Sequence, residues 1–180
     1  MSKKKEIIIA VTGGISAYKS CEIVRKLVKD GFGVTVLMSK EALEFIGPLT
    51  FRTLSSRPVV TDMFDRDIAW DKAHISLAEL ADLIVVVPAT ANIIAKLAHG
   101  LCDDIISCVI MASKAKIMVA PAMNENMYKH PVFQENLKKI KALNYKIINP
   151  IIGDLACGKK GIGHLAEVQT IISEIKKAVS

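Results

Sequence analysis

Three features of the sequence predict a single-domain α/β fold built on a doubly wound parallel sheet. Three short runs, residues 7–11, 83–87 and 117–120, are apolar throughout and lack the alternation of a half-exposed strand. Such runs suit a parallel sheet covered on both faces. Stretches with helical spacing separate them, the pattern of right-handed βαβ units. The 180 residues are 51% apolar and only 5% aromatic, so residues 1–180 supply one domain with a mainly aliphatic core.

The first strand, residues 7–11, runs into the turn Thr12-Gly13-Gly14-Ile15-Ser16. A helix follows to about Lys29, with Ile23, Val24, Leu27 and Val28 on its apolar face. Gly31-Phe32-Gly33 breaks it before a second strand at residues 34–38. The turn is not the Gly-x-Gly-x-x-Gly of dinucleotide enzymes. Nor is it a Walker loop, because Lys19-Ser20 lacks the glycine spacing. The tip of the second strand, Met38-Ser39-Lys40, offers no carboxylate to a ribose 2′-hydroxyl. Hydroxyls, glycine amides and a lysine suit a phosphate instead, yet many such turns bind nothing.

Residues 41–46 form a short helix, Gly47-Pro48 breaks it, and residues 49–64 show no clear period. Residues 65–72 are a charged loop around Trp70, and residues 73–81 have helical spacing. His74 falls in that helix's first turn, where the dipole disfavours protonation of the ring. A lone histidine there is more often a surface or capping residue than a catalytic one.

The strand at residues 83–87 stops at Pro88, which has no N–H to donate. Ala89-Thr90-Ala91-Asn92 and a helix through Leu97 follow, and Asp103 caps a helix over residues 104–112. The strand at residues 117–120 stops in the same way at Pro121, before Ala122-Met123-Asn124-Glu125-Asn126-Met127. Two strands thus end as proline, alanine, a short linker and asparagine. In a parallel sheet both tips open on one edge, beside the glycine turn and Ser39. That coincidence is the main sign of a ligand crevice. An amide there binds a carboxylate or a flavin ring edge without adding charge. The plain alternative is a cap design used twice, with Asn124 capping a helix.

Residues 131–144 form an amphipathic helix with Lys138, Lys139 and Lys141 outward, and residues 145–149 a last strand. Residues 151–165 gather glycines into a segment that suits a flap over the crevice. Cys157 sits within it beside Lys159 and Lys160, neighbours that make a thiol reactive unless it is buried. A helix over residues 168–179 closes the chain.

The net charge of +6 comes mostly from lysine, partly at Lys3-Lys4-Lys5 and Lys176-Lys177. Solvated termini and helix faces account for it better than nucleic-acid binding, which favours arginine interleaved with aromatics. Part of the excess can attract an anionic substrate. Cys21, Cys102, Cys108 and Cys157 form no Cys-x-x-Cys pair and no cluster with histidine, which suggests no metal site and no disulfide scaffold. A reducing cytoplasm is the expected compartment. Glu6 interrupts the basic N-terminus before a short apolar run, unlike a signal peptide, and no run approaches membrane-spanning length.

Together these residues resemble the flavin-containing cysteine decarboxylases over nearly the whole chain. The resemblance rests on Gly13-Gly14-Ile15-Ser16-Ala17-Tyr18-Lys19, Ala73-His74-Ile75, Pro88-Ala89-Thr90-Ala91-Asn92, Pro121-Ala122-Met123-Asn124-Glu125-Asn126-Met127 and Ala156-Cys157-Gly158. The asparagine motif with the downstream cysteine is specific; the glycine turn is not. The nearest branch is the one that decarboxylates phosphopantothenoylcysteine to phosphopantetheine in coenzyme A biosynthesis.

The resemblance implies a Rossmann/flavodoxin-like sheet and an FMN gripped by Gly13, Gly14, Ile15, Ser16, Ser39, Thr90, Ala91, Asn92, Ile93 and Ala122. It implies His74 as catalytic base, Asn124 as the group that binds the substrate carboxylate, and Cys157 as proton donor. Met127 and Ala156 join Asn124 in contacting substrate. It further implies self-association as a trimer or dodecamer with the flavin at a subunit boundary. A phosphopantothenate–cysteine ligase, fused or separate, is the implied partner, and neither nucleic acid nor membrane is.

The implied chemistry suits these residue types. A cysteine carboxylate has no electron sink, and a flavin creates one by oxidising the side chain to a thioaldehyde. Loss of CO2 then gives an enethiolate, which is reduced and protonated. The chain departs from the family pattern at Gly163-His164-Leu165, where arginine and methionine are usual, at Tyr128 in place of tryptophan, and at Ile93 in place of threonine. Rival readings are a peptidyl-cysteine decarboxylase performing only the oxidative half, a flavin prenyltransferase, and a non-catalytic regulatory flavoprotein. Cys157 within a glycine segment argues against the first, and the Pro-Ala-Met-Asn motif against the second. His74, Asn124 and Cys157 together argue against the third, since a binder needs none of them.

Overall fold

The computed structural model describes residues 4–64, 73–154, 158 and 160–180. Among them, six parallel strands form one sheet in the order β3-β2-β1-β4-β5-β6. These are β1 (Glu6–Val11), β2 (Gly33–Met38), β3 (Val59–Val60), β4 (Leu83–Ala89), β5 (Lys116–Pro121) and β6 (Lys146–Ile147). The direction of winding reverses between β1 and β4, and such a switch point is where open α/β sheets hold their ligands.

The apolar runs fold this way because each has two faces to bury. Along β1, Ile7, Ile9 and Val11 enter one core and Ile8 and Ala10 the other. β4 divides in the same way, with Leu83, Val85 and Val87 against Ile84, Val86 and Ala89. The first core is closed by α1 (Lys19–Lys29), α2 (Lys40–Leu43), α3 (Pro48–Ser55) and α9 (Val168–Val179). The second is closed by α4 (Ala73–Leu80), α5 (Ala91–His99), α6 (Ile105–Ala112) and α8 (Pro131–Ala142). Between β5 and α8 lies the short α7 (Glu125–Lys129). At the edge opposite the strand tips, Arg57 forks onto Glu6 at 2.6 and 3.1 Å and bonds Thr35 at 3.1 Å. The Glu6 carboxylate raises the pKa of that guanidinium further.

The stretch without a clear period holds α3 and β3, a short helix and an edge strand of two residues. β4 does not stop before its proline: it runs through Pro88 to Ala89, with a cis Val87–Pro88 bond and a register shift against β5. Missing one donor at the end of a ladder displaces the strand without ending it. The last parallel strand is shorter than residues 145–149, and α6 starts after Asp104, not Asp103, which supplies the cap and a capping box with Ser107. The described parts of the glycine segment form an antiparallel hairpin, β7 (Ile151–Asp154) and β8 (Lys160–His164). No helix of the described residues is long and apolar enough to cross a membrane.

Ile9 is fully buried in the central strand. Ile9→Ala should therefore lower unfolding stability by about 2–5 kcal/mol with an unchanged denaturant slope. Urea titration followed by circular dichroism checks this, and an unmoved midpoint would mean that the strand is not central.

Candidate functional site

A cleft of about 550 Å³ opens over the tips of β1, β4 and β5, within the size range of small-molecule sites. From β1 it receives Gly13, Gly14, Ile15 and Ser16, and from the tip of β4 Thr90 and Ala91. Beyond β5 come Ala122, Met123, Asn124 and Met127, while α1 and the hairpin add Lys19, Asp154, Gly163 and His164. Among the expected cofactor and substrate residues, Ser39, Asn92 and Ile93 stand outside this lining. The Ser39 hydroxyl caps α2 through the Ala42 N–H, Ile93 is buried in the second core, and Asn92 is exposed on α5.

Hydrogen bonds run right round the rim. The buried Thr12 hydroxyl donates to Pro88 O at 2.7 Å and accepts from Thr90 N–H at 3.1 Å, joining the tips of β1 and β4. Ser20 on α1 donates to Val87 O at 2.7 Å. Ala122 N–H reaches Ala89 O at 3.1 Å, and Met123 N–H reaches Gly163 O at 3.0 Å. Lys19 Nζ closes the ring against His164 Nε2 at 2.9 Å. Each wall of the cleft is therefore bonded to the next.

Asn124 does cap a helix: its Oδ1 accepts the Asn126 N–H at 2.8 Å at the start of α7. The same cap turns the side chain along the cleft wall, so capping and lining are compatible. Tyr128, in the tryptophan position, lies on Phe133 with ring centroids 5.6 Å apart, and burial pushes its phenol pKa up. His74 sits half-buried in the first turn of α4, as expected, but is not a lining residue. Cys157 and Ala156 lie outside the described residues.

Sequence reasoning missed Tyr18, Met123, Asp154, Gly163 and Leu165 as lining residues. The Gly161-Ile162-Gly163 alternation was the available signal for a strand that packs closely on something. At Gly163 a Cβ would lie 2.2 Å from Met123 O, and φ is +125°.

A family model described as Flavoprotein matches residues 1–180. The chain belongs to the flavoprotein family. It is 45% identical over 175 residues to the coenzyme A biosynthesis bifunctional protein CoaBC of Borreliella burgdorferi, covering 97% of this chain and 45% of that protein. It is 42% identical to a probable phosphopantothenoylcysteine decarboxylase of Streptococcus mutans, covering 96% of this chain and 98% of that one. The chain thus spans less than half the length of the bifunctional relative. A mutant PPC decarboxylase complexed with pantothenoylaminoethenethiol superposes with a TM-score of 0.88 at 29% identity, over 97% of this chain and 98% of that chain. The FMN-dependent cysteine decarboxylase SpaF superposes with a TM-score of 0.83 at 27% identity, over 98% of each chain.

A flavin fits the cleft on the geometry of the glycine turn. Gly14 lines the cleft, and a Cβ there would meet no protein atom within 4 Å. Glycines, alanines and the apolar side chains of Ile15, Met123, Met127 and Leu165 make up much of the lining, which suits a flat ring system. Gly13 serves packing instead: a Cβ there would come within 2.4 Å of Glu41 Cβ on α2.

Gly163→Ala tests how the hairpin is attached. The substitution adds a side chain at a glycine-type φ and against a backbone oxygen, a strain of about 1–3 kcal/mol before the clash. The expected outcome is a hairpin that exchanges its amide protons and is cleaved by protease much faster, with the sheet core unchanged. Unaltered protection of the hairpin amides would contradict the attachment.

Proposed function

We propose that this domain, residues 1–180, catalyses FMN-dependent decarboxylation of phosphopantothenoylcysteine to phosphopantetheine in coenzyme A biosynthesis. The observation that carries this reading is the meeting of the glycine turn and the Pro121–Asn124 loop in one cleft at the sheet's switch point. Identity of 42% over 98% of a relative named for that reaction supports it.

In this reading Gly13, Gly14, Ile15, Ser16, Thr90, Ala91 and Ala122 hold the flavin along the rim. Ser39, Asn92 and Ile93 support the turns around it. When bound, FMN supplies the electron sink that a cysteine carboxylate lacks, by oxidising its side chain to a thioaldehyde and later returning hydride. Asn124 orients the substrate carboxylate. A neutral amide holds the carboxylate without over-stabilising it. Met127, exposed on α7, and Ala156 bound the substrate's side of the cleft. His74 takes the thiol proton and Cys157 returns one to the enethiolate.

His74 stands off its own chain's cleft, which supports a site completed by a neighbouring subunit in a trimer or dodecamer. Ile15 and Tyr18, on the cleft rim with 63% and 54% of their surface exposed, are apolar residues that a neighbour would cover. The bifunctional relative supports a phosphopantothenate–cysteine ligase as fused or separate partner. The cytoplasm is the proposed compartment.

Purified protein should be yellow, release FMN on denaturation, and convert phosphopantothenoylcysteine to CO2 and fully reduced phosphopantetheine. His74→Asn should keep the flavin and lose about 10²–10⁴-fold in turnover. Absorption spectra, CO2 release and product mass check these outcomes. A colourless protein that cannot be reconstituted with FMN sinks the reading. An oxidised enethiol as the end product would instead favour a peptidyl-cysteine type of oxidative reaction.

A further inference from the structure

We propose that Lys19, held in place by His164, is the subsite for the phosphate monoester of the substrate, and that His164 thereby sets the preference for a phosphorylated substrate. This inference rests on the decarboxylase reading of the same cleft.

The charge pattern of the lining comes first. Among the described lining residues Lys19 is the only permanent cation and Asp154 the only carboxylate. Asp154 is exposed and Lys19 half-buried, so solvent and salt screen the carboxylate more than the ammonium. Several surface lysines meet carboxylates, as Lys26 meets Asp30 and Lys96 meets Asp103 and Asp104, whereas Lys19, like Lys139 beside His99, meets an imidazole. An ammonium can only donate and a carbonyl can only accept. With Nε2 on Lys19 and Nδ1 on Asp154 O, both at 2.9 Å, both partners are satisfied when Nε2 accepts and Nδ1–H donates. A neutral acceptor fixes the lysine without cancelling its charge.

The seat of the ring is built by the hairpin. Gly153, on the paired strand, would place a Cβ 2.9 Å from His164 Cγ, so a larger residue there would push the ring away. His164 occupies one of the three Lys19 N–H directions, and no described residue takes the other two. The long side chain is thus ordered before a ligand arrives, which removes much of the entropy cost of binding. The amino end of the helical segment that leads into α1 opens on the same cleft and adds partial positive charge.

Two phosphate monoesters could reach this cation, that of the substrate and that of FMN. The position of Lys19 favours the substrate. Its partner His164 follows Gly163, which bonds Met123 beside Asn124, so the ammonium belongs to the wall proposed to hold the substrate.

The test is steady-state kinetics of the holoenzyme on phosphopantothenoylcysteine and on pantothenoylcysteine, for wild type, Lys19→Met, His164→Ala and His164→Gln, with FMN affinity measured for each. Wild type should favour the phosphorylated substrate. Lys19→Met and His164→Ala should each lose about 10–100-fold in kcat/KM on that substrate, the size of one hydrogen bond to a charged group. The loss should appear in KM and exceed any loss on pantothenoylcysteine by at least about tenfold, with FMN affinity retained. His164→Gln keeps an acceptor for the ammonium and should recover most of the preference. Equal losses on both substrates would overturn the proposal. So would weakened FMN binding with the preference intact, which would assign Lys19 to the cofactor's phosphate. Calorimetry of phosphopantetheine against pantetheine reads the subsite without turnover. A preference that Lys19→Met abolishes supports the subsite even if wild type releases no CO2, an outcome that would sink only the decarboxylase reading. No preference in wild type overturns the subsite.

Discussion

The cleft depends on the hydroxyl of Thr12. It is buried at the end of β1, donates to Pro88 O and accepts from Thr90 N–H. Pro88 has no N–H, so β4 leaves the ladder here and its register against β5 shifts. Carbonyl and amide groups freed at that point lie in the protein interior and need partners, since a buried polar group without one costs about 1–3 kcal/mol. Thr12 supplies a donor and an acceptor from one atom. The glycine turn is thereby fixed to the turn that starts α5, with Thr90 also capping that helix. Every other rim contact, from Ala89 through Ala122 and Met123 to the hairpin, builds on this junction.

The glycines around the site answer different constraints. Gly13 permits α2 to approach β1, Gly153 permits the His164 ring to lie on the paired strand, and Gly163 permits the hairpin to meet the Met123 backbone. Gly14, which lines the cleft, has no protein atom within 4 Å of an added Cβ. Adjacent glycines in one motif thus differ, one packed against α2 and one with open space around it. The hairpin does more than cover the cleft. It carries His164 to Lys19 and so bonds the Met123–Asn124 wall to α1.

Much of this was legible in the sequence because buried parallel strands leave a strong local trace. The runs at residues 7–11, 83–87 and 117–120 suited strands buried on both sides and are such strands, and the repeated proline–alanine–asparagine endings both border the cleft. What escaped depended on contacts distant in sequence. β3 is two residues long and takes its identity from β2, so no period marks it. The hairpin was hidden because glycines, which weaken strand propensity, are kept there for packing against the Met123 and Glu125 region. Lys19 and His164 are 145 residues apart, and their pairing exists only once the sheet has formed. His74 was placed correctly in a first helical turn, but that it is not among the residues lining the cleft depends on tertiary packing, which no local period records.

The central claim is that a flavin occupies the space beside the glycine turn, and Gly14→Val addresses it most directly. The backbone there is extended, with φ of 179°, and accepts any residue, and an added Cβ meets no protein atom within 4 Å. Denaturant titration of the cofactor-free variant should therefore match wild type, and the visible spectrum after reconstitution with FMN should show little or no bound flavin. A variant that binds FMN as tightly as wild type would place the flavin elsewhere and contradict the account.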